Sequence, residues 1–164
     1  VPMGTRSGDV DPSVVEFLMD RYGYDVHQML TILNKKSGML GLTGISSDFR
    51  DLESAADNGD EKAKLALLKF AYEVKKYIGA YAAALNGCDA LVFTAGVGEN
   101  SPEMRERICD GLGYLGIKID LEKDKIRGKE ADVSAADSKV KILVIPTNEE
   151  LMIAMDTKAL VEGK

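Results

Sequence analysis

No apolar run in these 164 residues approaches the roughly 20 that a membrane-spanning helix needs, so no such helix is expected. Cysteine is scarce. Cys88 and Cys109 are the only two, and their spacing matches neither a zinc ribbon nor a CxxC redox motif. Both are expected to be core thiols in a reducing cytosol. Histidine is scarcer still: His27 stands alone, in an amphipathic stretch next to core positions and with no acid/base partner nearby in sequence, and is read as structural. There is no surplus of positive charge either. The net charge is −6, which argues against a nonspecific nucleic-acid binder, since such a protein needs a basic surface to displace counterions; ATP can still bind locally. The opening residues, VPMGTRSGD, hold no apolar core of a signal peptide, and a cytoplasmic location is expected. They also lack an initiator methionine and enter a polar, glycine-containing segment at once, which suggests a piece of something longer.

What is present is a globular balance, 45% hydrophobic and 29% charged, in a length suited to one domain with a real core. Asp11 and Pro12 open a first helix, with Val14, Val15, Leu18 and Met19 as its apolar stripe and Gly23 near its end. A second runs from near Asp25 until Ser37 and Gly38 stop it. Met39 to Ser47, MLGLTGISS, is too broken for a strand and reads as an ordered loop. The longest periodic segment, Asp60 to Asn86, is a helix closed by a left-handed Gly87. Ala90 to Thr94 and Lys141 to Pro146 read as buried strands, each followed by a helix: Ser101 to about Tyr114, and Thr147 to about Val161. A minor strand is expected at Ile117 to Ile119, then a polar excursion from Asp120 to Ser138. The alternation makes the fold class α/β.

Four segments could carry chemistry. DALVFTAGVGEN, Asp89 to Asn100, runs from an apolar strand into a glycine turn; Gly96 and Gly98 there accept positive φ and let a ligand approach the main chain, and Ser101 caps a helix whose N-terminus favours an anion. An ordinary α/β connection has the same pattern. TRSGD places Arg6 among small polar residues, where it could hold a phosphate or carboxylate by bidentate hydrogen bonds, or simply lie in a solvated terminal loop. SSDFRD offers Phe49 to a purine with Asp48 or Arg50 on the base or ribose; the alternative is a hydrophobic staple with flanking surface charges. In PTNEE, Thr147 and Glu150 have capping-box spacing, which frees Glu149 to face the strand ends, where a hydrated Mg²⁺ could sit; alternatively both glutamates merely favour the helix dipole.

TRSGDVDP, SGMLGLTGISSDFRD, VFTAGVGENSPEMRERI and VIPTNEELMIAMDT, in this order, resemble the acetate kinase family of carboxylate phosphotransferases, from Met3 to about Thr157. The resemblance implies a partial ribonuclease-H-like lobe of the actin, Hsp70 and sugar kinase superfamily, its helices packed on a small mixed sheet. Residues 1–164 would form the C-terminal nucleotide-binding lobe, incomplete at its N-terminal side. It implies Arg6 as transition-state stabiliser, and Asp48, Phe49, Arg50, Gly96, Val97, Gly98, Glu99 and Asn100 around ATP or ADP. Glu149 would serve Mg²⁺, or Mn²⁺ in its place. Ala95 stands where the family commonly has glycine, and Met155 where it commonly has arginine, which puts an ion pair there in doubt.

The implied activity is reversible transfer of the ATP γ-phosphoryl group to acetate, giving acetyl phosphate and ADP, in a protein whose full-length form is a homodimer with an N-terminal lobe. These residues alone are expected to be inactive. The alternatives are a propionate or butyrate kinase of the same family, and a nucleotide-binding module without chemistry. An incomplete lobe would leave a sheet edge unpaired, with aggregation or partner association as the consequence.

Overall fold

The computed structural model describes residues 1–163 and divides into two compact units, Val1–Asn86 and Gly87–Lys164. The first is all helical. Its elements are α1 (Pro12–Tyr22), α2 (Val26–Lys35), α3 (Gly38–Thr43), α4 (Phe49–Asp57) and α5 (Glu61–Ala84). α1 starts where Asp11 accepts the Ser13 amide at 2.8 Å and stops at a left-handed Gly23, as the sequence implies. α2 starts in a reciprocal cap: Asp25 accepts the Gln28 amide at 2.8 Å while the Gln28 side chain accepts the Asp25 amide at 2.9 Å. His27 lies exposed on α2, whose one buried residue is Met29, so its expected place beside the core is not observed.

The MLGLTGISS stretch holds a helix, α3, where a loop is expected. Apolar periodicity is absent over so short a segment, and the tie comes from elsewhere in the chain: the Met39 and Leu40 amides donate to the Met3 and Gly4 carbonyls at 2.8 and 2.9 Å. α5 packs against α3 and α4. It buries Ala63, Ala66, Leu67 and Ala71 with Met39, Leu52 and Ala56 of its neighbours. Leu52 and Leu67 are fully enclosed, and each such side chain contributes about 1.5–3 kcal/mol. α5 ends at Ala84 with Leu85 as its cap; the next residue, Asn86 (φ 57°), is left-handed, and Gly87 also has positive φ.

The second unit carries β1 (Ala90–Phe93), α6 (Ala95–Asn100), α7 (Pro102–Cys109), β2 (Ala131–Asp132), β3 (Lys141–Val144) and α8 (Glu149–Glu162), with a 3-10 turn at Gly113–Leu115. The sheet order is β1-β3-β2, with β1 parallel and β2 antiparallel to β3. β3 is the central strand, and Ile142 and Val144 are fully buried. β1 is an edge strand, paired on one side among the described residues. Val92 is 46% exposed and Phe93 alone is buried, so the expectation of burial on both faces fails for β1. The helix begun by Ser101 ends at Cys109, five residues short of Tyr114. The expected strand at Ile117–Ile119 is a single bridge from Ile119 to Ser134. Of the two thiols, Cys109 is buried and Cys88 only half-buried, ahead of β1. α8 buries no residue, and Met155 is among its exposed side chains.

The polar excursion is anchored by a pair that the sequence did not announce. Arg105 of α7 is fully buried, and its Nε donates to Asp124 Oδ1 at 2.7 Å. Its remaining donors reach the carbonyls of Gly98, Asp124 and Ile126 at 2.8–2.9 Å. All three guanidinium nitrogens are thereby hydrogen-bonded, which a buried ion pair requires if it is not to destabilise the fold. Burial pushes the Asp124 carboxyl above its ordinary value, against the opposing pull of Arg105.

Candidate functional site

In the first unit, the TRSGD loop is held on both flanks by main-chain bonds. Ser7 donates to Leu33 at 2.9 Å, Ser37 donates to Thr5 at 2.9 Å, and the Met3 amide closes on the Arg6 carbonyl at 3.0 Å. Gly38 makes this possible. Its φ is 61°, and a Cβ there would lie 2.1 Å from the Met3 oxygen and 2.6 Å from the Arg6 oxygen. Arg6 itself is exposed, and its guanidinium has no partner among the described residues. A free cation on a fixed backbone is what anion capture by arginine needs.

The same loop touches SSDFRD: a Cβ on Gly4 would sit 3.0 Å from the Ser47 carbonyl oxygen. Asp48 is not in open loop but is the N-cap of α4, accepting the Arg50 amide at 2.9 Å. Its carboxylate also takes the Arg50 side chain, Nη2 to Oδ2 at 2.6 Å, and this bond holds the Asp48 carboxyl down at about 2. Phe49 meets Phe70 of α5 edge to face, with ring centroids 4.8 Å apart. This half-buried ring is therefore engaged with α5 and is not a staple within α4.

A cavity of about 530 Å³ also opens on this unit, lined by Ser7 and Asp9 of the TRSGD segment and by Lys36, Lys69, Glu73 and Lys76 among others, while Arg6, Asp48, Phe49 and Arg50 do not line it. Lys69 and Lys76 both bond Glu73, a 69/73/76 spacing that a helical reading could have found, and they hold its carboxyl below the ordinary range.

In the second unit, register brings the other two segments together. β1 and β3 run parallel with Phe93 opposite Val144, so the turns that follow them emerge side by side at the carboxyl ends of the strands. That is the edge at which open α/β sheets bind ligands. The first turn is not an irregular loop but the single-turn helix α6. Neither Gly96 nor Gly98 has positive φ; the left-handed residue is Ala95, at 58°. Gly98 allows a close approach instead, because a Cβ there would meet the Phe93 main chain at a tight 3.3 Å. Gly96 faces open space, and Thr94 supplies no side-chain cap to the first turn of α6. Asn100 closes α6 by donating from its side chain to the Gly96 carbonyl at 3.0 Å.

Glu99 spans the two turns. Its Oε1 accepts the Ala95 amide at 2.7 Å, the Thr147 amide at 2.8 Å and the Thr147 hydroxyl at 3.0 Å. The Thr147 amide is the main cause holding the Glu99 carboxyl below its ordinary value. Thr147 is thus occupied, and the cap of α8 is Asn148, whose side chain accepts the Leu151 amide at 3.1 Å. The expected capping box from Thr147 to Glu150 is not formed. Glu149, the first residue of α8, is exposed and has no partner among the described residues. No group of three or more His, Cys, Asp or Glu suited to a metal exists among those residues, so Glu149 is a single hard-oxygen donor. Such a donor fits Mg²⁺, which keeps several waters and takes one or two carboxylates plus substrate phosphates.

The acetokinase family model matches residues 1–155. An acetate kinase of Caldanaerobacter subterraneus subsp. tengcongensis is 63% identical over 162 residues, covering 98% of this chain and 40% of that protein. One of Methanosarcina thermophila is 59% identical over 160 residues, covering 98% and 39%. Among solved structures, Porphyromonas gingivalis acetate kinase superposes with a TM-score of 0.93 at 49% identity over 98% of this chain and 41% of that one. A propionate kinase from Francisella tularensis subsp. tularensis SCHU S4 gives 0.86 at 42% identity, over 94% and 39%. The fold is that of part of an acetate kinase, of the actin, Hsp70 and sugar kinase type. The chain belongs to the acetokinase family. It spans about two fifths of the length of the curated relatives it matches.

Proposed function

We propose that residues 1–164 are the C-terminal nucleotide-binding part of an enzyme that reversibly transfers the γ-phosphoryl group of ATP to acetate. An acetate oxygen attacks the γ-phosphorus, the bond to the β-phosphate oxygen breaks, and acetyl phosphate and ADP form. The observation that carries this reading, beyond family membership, is Arg6: an exposed, unpartnered guanidinium on a loop fixed by main-chain bonds. In transfer of this kind catalysis is mostly positioning and charge neutralisation, and Arg6 counters charge on the equatorial oxygens. Asp48, Phe49 and Arg50 contact the adenosine, and the Gly96 to Asn100 turn walls the phosphates. Glu149 would hold Mg²⁺, which would supply neutralisation of the phosphate charge.

The partners in this reading are ATP or ADP, acetate or acetyl phosphate, the N-terminal lobe, and a second copy of the full-length chain. The compartment is the cytoplasm. The 164 residues alone bind nucleotide at most, and titration calorimetry with MgATP tests that. A propionate or butyrate kinase is the second reading, favoured by the likeness to the Francisella propionate kinase. Trapping the acyl phosphate with hydroxylamine, using the full-length chain and acetate, propionate or butyrate in turn, separates the two. The highest kcat/KM with acetate is expected; no acyl hydroxamate from any of the three would refute the kinase reading.

A further inference from the structure

Glu99 has a task that neither the nucleotide nor the metal defines. Parallel strands β1 and β3 end level, and past their ends the bonds joining the two turns are few. The Ile145 amide donates to the Phe93 carbonyl at 2.9 Å, and the hydroxyls of Thr94 and Thr147 lie 2.9 Å apart. Because the Thr147 hydroxyl donates to Glu99, it accepts from Thr94, which makes a directed chain from Thr94 to Thr147 to the Glu99 carboxylate. Glu99 then closes the circuit back to Ala95, the first residue of its own turn. One oxygen takes three donors, an arrangement that favours a charged carboxylate over a neutral amide. Glu149, two residues beyond Thr147, has no side-chain partner among the described residues.

We infer that Glu99 is a positioning residue: through Thr147 it locks the turn that carries Glu149 against the turn that carries Gly96 and Gly98, so that metal and phosphates are presented in one fixed geometry. This rests on the kinase reading above and deepens it. One of the three bonds comes from the amide of the left-handed Ala95 and the other two from Thr147, so both sides of the pair of turns depend on one carboxylate.

The test uses the full-length enzyme carrying this segment, with Glu99→Gln, Thr147→Val and Thr147→Ser. Three quantities are measured: the Mg²⁺ concentration for half-maximal rate, KM for acetate, and ADP affinity in EDTA. Glu99→Gln is expected to raise the half-saturating Mg²⁺ concentration about tenfold. Thr147→Val, which keeps the amide and loses the hydroxyl, raises it about fivefold, the worth of one hydrogen bond. Thr147→Ser stays like the wild type, and in both Thr147 variants KM for acetate and metal-free ADP affinity do not move. Unchanged metal dependence in both Glu99→Gln and Thr147→Val overturns the inference. So does an equal loss of metal-free ADP affinity in Thr147→Val, which would make the link from Thr147 to Glu99 a general fold determinant. If Glu99→Gln does not fold, as circular dichroism would reveal, the threonine pair decides alone. A wild-type enzyme that forms no acyl phosphate refutes the kinase reading, and the inference with it.

Discussion

Glu99 and Thr147 are 48 residues apart in sequence and joined twice, the Thr147 amide and hydroxyl both donating to Glu99 Oε1 at 2.8 and 3.0 Å. The bond unites the ends of two parallel strands, so the acidity of one carboxyl should be felt in the stability of the second unit. Glu99 is held below its ordinary value of 4.5, chiefly by the Thr147 amide. A carboxyl depressed in the folded state stabilises above its unfolded pKa and loses that contribution as pH falls through the folded one. Asp48 and Glu73 are depressed too, so the informative quantity is the difference between wild type and Glu99→Gln. In urea unfolding that difference is expected to be full at neutral pH and to close as pH drops below 4.5.

Ala95 occupies a left-handed conformation, φ 58°, which glycine adopts without strain. A side chain there costs about 1–2 kcal/mol, partly offset by the lower unfolded-state entropy of alanine. Ala95→Gly should therefore stabilise the second unit by about 0.5–1 kcal/mol. Thermal denaturation followed by circular dichroism checks this, with a rise of a few degrees expected.

Arg105 and Asp124 form an enclosed pair, their side chains 0% and 2% exposed. Removing one partner leaves a buried charge alone, so Arg105→Met should cost about 3–5 kcal/mol, while the Arg105→Met/Asp124→Leu double variant should recover much of it. Guanidinium unfolding midpoints measure both. A single variant as stable as wild type would mean that the pair contributes nothing.

Gly38 and Gly23 provide a controlled contrast. Both have positive φ, 61° and 67°, but a Cβ at Gly38 would clash with the Met3 and Arg6 carbonyls, whereas one at Gly23 would meet nothing within 4 Å. Gly23→Ala should cost only the strain, about 1 kcal/mol. Gly38→Ala adds displacement of main chain and should cost about 3 kcal/mol or more, with the Arg6 loop dislodged. Urea midpoints rank the two.

Local signals made the helices around Asp11, Pro12, Gly23 and Asp25 readable, because each end is set by residues next to it. The apolar runs at Ala90 and Lys141 marked the two parallel strands for the same reason. The features that escaped depend on pairs remote in sequence. Arg105 finds Asp124 across 19 residues, α3 is fixed by the Met3 and Gly4 carbonyls, and Thr147 leaves its capping role for Glu99. The TAGVGEN segment was legible as a strand running into a turn but not in its mechanics: the strained residue is the alanine beside the glycines, and a Cβ on Gly98 would crowd the Phe93 main chain. At SSDFRD the charges flanking Phe49 gave no hint that Asp48 and Arg50 would satisfy one another.

The central claim is that this segment supplies the arginine of an acetate phosphotransferase, and the most direct measurement is acetate-dependent ADP formation from MgATP by the full-length enzyme with and without Arg6→Ala. Loss of a charge-stabilising group on transferring phosphoryl oxygens should lower kcat by about 10³-fold, with circular dichroism unchanged and KM for acetate little altered. An Arg6→Ala enzyme that turns over at the wild-type rate would contradict the account.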